Sequence, residues 1–258
     1  LRQRGFHQVG PEAGNLACGA QGLGRLAPVD WILECIHQVL TPPSLLGKRV
    51  LVTAGPTWEA IDPVRHLTNA SSGKMGYALA KVAQRRGAAV TLVTGPTALV
   101  PPRGVKVVRI RSARQMHHAV MEAFSGVDAV VMAAAVSDYR PKVRASQKIK
   151  KTGDGEILEL ERSEDILLQL AEQKRSQILV GFAAETENVA ENAREKLRKK
   201  NLDFIIANDV TAADSGFASD TNQVTILWPD GKVEALPLQD KEMVAGHIWD
   251  RLEYLWQQ

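Results

Sequence analysis

From Lys48 onward the apolar residues follow two alternating rhythms. Uninterrupted apolar runs occupy residues 48–55 (KRVLVTAG), 89–96 (AVTLVTGP), 128–136 (DAVVMAAAV), 177–185 (QILVGFAAE) and 202–209 (LDFIIAND), with a shorter one at 105–110. Such runs predict strands buried on both faces, because a parallel sheet covered by helices has no wet face to demand alternation. Between them the spacing turns helical: Leu79, Val82 and Ala83 before the stop at Gly87, then Met116, Ala119, Val120 and Ala123 behind a capping box of Ser112 and Gln115. Ile166, Leu167 and Leu170 follow Ser163 as the expected cap. Val189, Ala193 and Leu197 follow Asn188, and residues 240–256 form an amphipathic pattern. Residues 224–236 (VTILWPDGKVEAL) predict a hairpin turning at PDG. The expected fold is α/β: a doubly wound, mostly parallel Rossmann-like sheet with a β-hairpin extension.

Residues 1–44 break this rhythm. They are Gly-rich (PEAGNLACGAQGLGRLAP), then weakly helical over Val29–Leu40, then linker-like at TPPSLLGK, so the division predicted is 1–44 and 45–258. The composition adds exclusions. A formal charge of +3 demands neither nucleic acid nor an anionic membrane, and no apolar run approaches the roughly 18 residues of a membrane helix. No signal-peptide pattern is visible, so the expected location is cytoplasmic. Cys18 and Cys35 make neither a disulfide framework nor a metal site, and the histidines lack metal spacing.

Ligands of doubly wound sheets bind at the carboxyl ends of strands, and four ends here carry small or polar residues: TAGPT, MAAAVSDYR, GFAAET and IANDV. Two familiar phosphate motifs are absent. HLTNASSGKMG (residues 66–76) has Thr68 where a P-loop needs Gly and Met75 where it needs Ser or Thr, and AGPTWEA lacks two glycines of the dinucleotide fingerprint. Gly73 and the helix behind it can still present amides to an anion. KIKK (148–151) lies in a long connection, and Lys196 and Lys200 share one helix face. A charge run such as KIKK is usually solvated surface, and only its place downstream of Asp138 argues for more, whereas the helix face is equally readable as generic basic surface. An NAD(P)-dependent oxidoreductase and a non-catalytic nucleotide-binding module remain open on these features.

The ordered set DPVRHLTNASSGKMG, AAAVSDYR, KIKK, GFAAETEN and NLDFIIAND resembles the bacterial phosphopantothenate–cysteine ligase domain of the bifunctional coenzyme A biosynthesis flavoprotein, over residues 48 to about 256. GPEAGNLACGAQGLGRLA resembles the tail of the preceding decarboxylase domain, with Cys18 in its substrate loop and Ala20 where Asp is frequent. The resemblance implies a ligase that joins 4′-phosphopantothenate to L-cysteine with CTP and Mg2+, through an acyl-cytidylate. It implies Met132, Ala133, Ala134, Asp138, Lys148, Glu164, Asp165, Ile166, Leu167, Phe182, Lys196 and Lys200 at the nucleotide. SEDI stands where the family has NPDI. Asn69, Ala70, Ser71, Ser72 and Gly73 fall to the acyl substrate, with Asn69, Lys148 and Arg65 catalytic. Magnesium ligands are not implied. The remnant is expected to bind no flavin. The family is a homodimer, for which the hairpin at residues 228–231 is a candidate contact, and it assembles further only with a full decarboxylase domain.

Overall fold

A computed structural model describes residues 1–151, 153, 155, 157–185, 187–209 and 219–258. Its centre is an eight-stranded sheet. In chain order the strands are β1 (Arg49–Ala54), β2 (Ala89–Thr94), β3 (Lys106–Arg109), β4 (Ala129–Met132), β5 (Ile178–Glu185), β6 (Phe204–Asp209), β7 (Val224–Leu227) and β8 (Val233–Ala235). Their order across the sheet is β3-β2-β1-β4-β5-β6-β7-β8, parallel through β6 and antiparallel at β7 and β8. This is the doubly wound order, in which the winding reverses between β1 and β4. The predicted hairpin extends the edge of the main sheet, where Ile205 pairs with Leu227.

The helices are α1 (Val29–Leu40), α2 (Lys74–Arg85), α3 (Ala113–Phe124), α4 (Ile166–Gln173), α5 (Val189–Lys199) and α6 (Lys241–Trp256). Alternate residues of β1 divide the core between two layers. Val50, Val52 and Ala54 face one cluster with Leu79 and Ala83 of α2 and Val244, Ile248 and Trp249 of α6. Leu51 faces another with Met116 and Val120 of α3, Leu170 of α4 and Leu197 of α5. The Trp249 indole donates to the Leu79 carbonyl at 2.9 Å, which satisfies the polar atom of the largest fully buried side chain. By contrast α1 buries none of its residues and is held through Glu34, whose carboxylate takes both Arg85 nitrogens at 2.6 Å. The expected linker ends early, because Leu45 is fully buried and its amide donates to Arg86 O.

Short antiparallel ribbons decorate the carboxyl end of the sheet. Trp58–Ala60 pairs with His66–Thr68, Tyr139–Pro141 with Leu160–Arg162, and Thr221–Asn222 with Gln239–Asp240. The second ribbon brings together the two ends of the long connection after β4 and makes an arm of its described residues. α2 begins at Lys74, behind Gly73, which takes a left-handed φ of +81° and caps it. One helix start differs from expectation. α4 is capped by Asp165, whose carboxylate accepts from Leu168 N at 3.2 Å, and not by Ser163.

Candidate functional site

At the reversal between β1 and β4 the two strand ends are tied together and floor a cleft. Ala135 N donates to Gly55 O at 3.0 Å and Thr57 N donates to Ala135 O at 3.2 Å. Buried Thr53 and Thr57 accept from Ala134 N and Ser137 N at 3.1 and 3.0 Å. The small residues read as strand-end markers are thus hydrogen-bonded backbone that a ligand can approach closely. α2 packs onto the same floor. A Cβ at Gly76 would stand 2.5 Å from Ala54 Cβ, so only glycine lets the helix start reach the strand end.

Above this floor are two adjoining chambers. The first, about 420 Å³, is lined by Met132, Ala134, Asp138, Glu164, Asp165, Ile166, Leu167, Phe182, Lys196 and Lys200, together with Val136, Ser137, Tyr139, Arg162 and Ser163. Its rim is ionic: Lys200 pairs with Asp165 at 3.0 Å and Arg140 with Glu164 at 3.1 Å. The Glu164 carboxyl is lowered by a hydrogen bond from its own amide, with Arg140 adding to the effect. Ser163 Oγ is buried and has no hydrogen-bond partner among the described residues.

The second chamber, about 440 Å³, holds Asn69, Ala70, Ser71, Ser72 and Gly73 from the loop, then Lys74, Met75, Gly76, Ala133, Ala184, Asn208, Asn222 and Lys241. Asn69 Nδ2 donates to Ala135 O at 3.0 Å, which seats the side chain on the strand end and leaves its other N–H for a ligand. Ala134, Val136, Asp138, Phe182 and Lys196 line both chambers. Lys196 Nζ donates to Phe182 O at 2.6 Å, so the ammonium is moored where the chambers meet.

Arg65 and Lys148 line neither chamber. Arg65 donates to the buried Asp62 carboxylate through Nε at 2.9 Å and to Ile149 O through Nη2 at 3.0 Å. Its guanidinium holds the Asp62 carboxyl far below the usual range, with the amides of Val64, Arg65 and Ile149 adding to the effect. Ile149 adjoins Lys148, which is exposed, so Arg65 holds the stretch of the arm that carries Lys148, and neither residue lines a chamber. Cys18 is exposed in the N-terminal segment. Among the described residues no group of three His, Cys, Asp or Glu side chains is placed to hold a metal, so Mg2+ fits only beside a ligand that brings its own phosphate oxygens. No described helix is long and apolar enough to cross a membrane.

Sequence reasoning did not single out Ser163, Asn208, Asn222, Lys74 or Lys241 as site residues. Lys241 carried a readable signal, since a lysine opening a helix opposes the helix dipole.

Residues 45–255 match the model of the DNA/pantothenate metabolism flavoprotein C-terminal domain. The chain is 46% identical over 258 residues to the coenzyme A biosynthesis bifunctional protein CoaBC of Vibrio parahaemolyticus, covering 99% of this chain and 64% of the relative. It is 46% identical over 262 residues to the CoaBC protein of Bacillus subtilis, again spanning 64% of that relative's length. Among solved structures it is similar to a CoaBC C-terminal domain, with a TM-score of 0.72 and 48% identity over 83% of this chain and 98% of the other. A Cab2 H337A complex with phosphopantothenate-cysteine, 19% identical with a TM-score of 0.66 over 90% of this chain and 96% of that one, shares the fold. With its switch-point cleft and a match running through nearly the whole α/β region, the chain belongs to the DNA/pantothenate metabolism flavoprotein C-terminal domain family.

Proposed function

We propose that this chain is a phosphopantothenate–cysteine ligase that activates 4′-phosphopantothenate with CTP and then joins it to L-cysteine. The observation that carries the reading is the pair of chambers meeting at Asp138, Phe182 and Lys196. Two substrates that must react end to end need such a junction. CTP takes the Lys200 chamber, with Phe182 beside the base, Asp138 and the Ala134 backbone reading its edge, and Lys196 and Lys200 facing phosphate; Ala133, expected at the nucleotide, lines the Asn69 chamber instead. Mg2+, held by the triphosphate, supplies further positive charge there when bound. The acyl substrate takes the Asn69 chamber.

In the first step a carboxylate oxygen attacks the α-phosphorus and the bond to the β-phosphate oxygen breaks, giving the acyl-cytidylate and pyrophosphate. In the second the neutral cysteine amine attacks the acyl carbon. The resulting oxyanion collapses, the carbon–oxygen bond to CMP breaks, and the amine proton passes to solvent. Phosphoryl transfer relies on positioning and on positive charge over the spreading negative charge. Incubation with CTP, Mg2+, 4′-phosphopantothenate and cysteine should release pyrophosphate and CMP and form the amide. Hydride transfer to NAD(P)+ without pyrophosphate, or nucleotide binding without product, would sink the reading.

The same proposal includes a homodimer in which the arm of one subunit serves the cleft of the other. Arg65 holds the stretch that carries Lys148, and neither residue lines its own chambers. Beside Arg65 the surface exposes Val64, Val143 and Ile157, the last two lining one cavity with Arg65, apolar surface that a partner could cover. This face suits a partner better than the hairpin at residues 228–231, which rims a different cavity with Asp230, Lys232 and Glu234. Asn69→Asp and Lys148→Gln should each be inactive alone. Co-expressed, random pairing gives one intact site in each mixed dimer and so about a quarter of wild-type activity. No recovery in a preparation shown to contain mixed dimers would mean that each site is built from one chain.

A further inference from the structure

Little packing fastens the arm to the rest of the chain. Between residues 142 and 150 only Ala145 and Ile149 are half-buried, and the others are exposed. A cavity of about 640 Å³ opens beside this stretch, lined in part by Ile61, Arg65, Val143, Ala145 and Ile149. The two half-buried residues are those bonded to the turn at 61–65, which joins Trp58–Ala60 to His66–Thr68. Ala145 N donates to Ile61 O at 2.9 Å, Ile149 N donates to Asp62 Oδ2 at 3.2 Å, and Arg65 Nη2 donates to Ile149 O at 3.0 Å. Asp62 is 2% exposed, and its two oxygens have separate duties. Oδ1 accepts from Val64 N and Arg65 N at 2.8 Å each, which closes the turn. Oδ2 accepts from Nε and Nη2 of Arg65 and from Ile149 N, which holds the arm. These donors, Arg65 foremost, keep the carboxylate ionised far below its usual range. The Arg65 guanidinium is held along its Nε–Nη2 edge, while its Nη1 has no partner among the described residues.

We infer that Asp62 is the positioning residue for Arg65 and Lys148: its Oδ2 aims the Arg65 guanidinium and pins Ile149, and so fixes where the arm presents Lys148. The chemistry this serves rests on the ligase reading, which the inference deepens. Asp62 lines neither chamber, so it acts only through these neighbours. Without Oδ2, Arg65 keeps one bond to Ile149 O, and Ile149 N loses its acceptor. The same turn leads through His66–Thr68 into Asn69, so one carboxylate sets the arm against the strand that delivers the cleft's own donor.

Asp62→Asn separates the two duties. Its amide oxygen can still accept from Val64 N and Arg65 N, whereas its NH2 replaces Oδ2 and sets donor against donor at Arg65 and Ile149. Hydrogen exchange read at single residues should show Ala145 N and Ile149 N exchanging about 10-fold faster, with the turn amides of Val64 and Arg65 as protected as in wild type. In a single turnover with CTP, Mg2+ and 4′-phosphopantothenate but no cysteine, pyrophosphate should form about 10²-fold more slowly at full amplitude, the scale of a misplaced catalytic group. A merely structural loss would lower the amplitude and leave the rate. Co-expression assigns the defect to the arm. Asp62→Asn should recover about a quarter of wild-type activity with Asn69→Asp and none with Lys148→Gln, because two faulty arms leave no intact site. The opposite pairing pattern, or wild-type exchange at Ala145 and Ile149, would overturn the inference. If Asp62→Asn does not fold, Ile149→Pro, which removes only the N–H held by Oδ2, decides: a wild-type first step in that variant rejects the clamp. If Asn69→Asp and Lys148→Gln do not complement each other, the shared site falls, and the exchange and first-step rates decide alone. If the wild-type protein makes no amide, the ligase reading falls, while exchange at Ala145 and Ile149 still accepts or rejects the clamp.

Discussion

Asn69→Asp is expected to accumulate acyl-cytidylate while amide formation falls by about 10²–10³, the usual effect of losing one donor to an oxyanion. The geometry gives the reason. One Asn69 N–H is spent on Ala135 O at 3.0 Å, so the side chain is fixed against the strand end where the acyl carbon must lie. Its second N–H is the one available to the carbonyl oxygen as cysteine attacks. Aspartate has the same size but no amide. It would face the Ala135 carbonyl with like charge and repel the developing oxyanion. The first step asks nothing of this donor, because there the charge spreads over phosphate oxygens in the other chamber. Quenched reactions with CTP and phosphopantothenate, analysed by mass spectrometry, should therefore contain the intermediate. Lys148→Gln should contain none, since that lysine is assigned to the departure of pyrophosphate. Full turnover by Asn69→Asp, or abundant intermediate with Lys148→Gln, would show the two roles to be misassigned.

The central fold was legible because its strands are buried on both faces. Runs such as DAVVMAAAV have no alternative use in a chain of this composition, and each ends on the floor of the cleft or in the core. The short ribbons were not legible: Tyr139–Pro141 and Leu160–Arg162 are three residues each and mostly exposed, too short for any period to register. Ser163 and Asp165 both fit a helix cap by type, and only the position of Leu168 N separates them. Of the residues that line the cleft, those in continuous motifs could be named from the sequence, whereas Asn222 and Lys241 come from a ribbon and a helix start far along the chain. Their relation to Gly73 is created by α6 packing on α2, through Trp249 and Leu79, which no local pattern encodes. Arg65 and Lys148 show the converse. The motif names the residues, while their absence from the lining of both chambers depends on how the connection after β4 folds, which no local pattern encodes.

Lys196 and Lys200 are one helical turn apart, yet they should fail differently when replaced. Lys196 lines both chambers and is moored by Phe182 O at 2.6 Å, so its ammonium lies where the attacked phosphorus must be. Lys200 lines only the first chamber, the one proposed for CTP, and is paired with Asp165 at 3.0 Å, a contact suited to holding the leaving end of a triphosphate. Charge beside the reacting phosphorus counts most when negative charge spreads in the transition state, so Lys196→Met should lower kcat by about 10²–10³. Charge farther along the triphosphate is felt nearly equally before and during the reaction. Uniform binding of that kind appears in KM, so Lys200→Met should raise the KM for CTP by about 10-fold with a smaller change in kcat. The KM for phosphopantothenate gives an independent check, because only Lys196 borders the acyl chamber and only its replacement should raise that constant. Steady-state kinetics varying each substrate in turn will separate the two lysines. If Lys200→Met lowers kcat as far as Lys196→Met, or raises the KM for phosphopantothenate as much, the junction does not have the role its geometry suggests, and the reacting phosphorus must lie deeper in the CTP chamber.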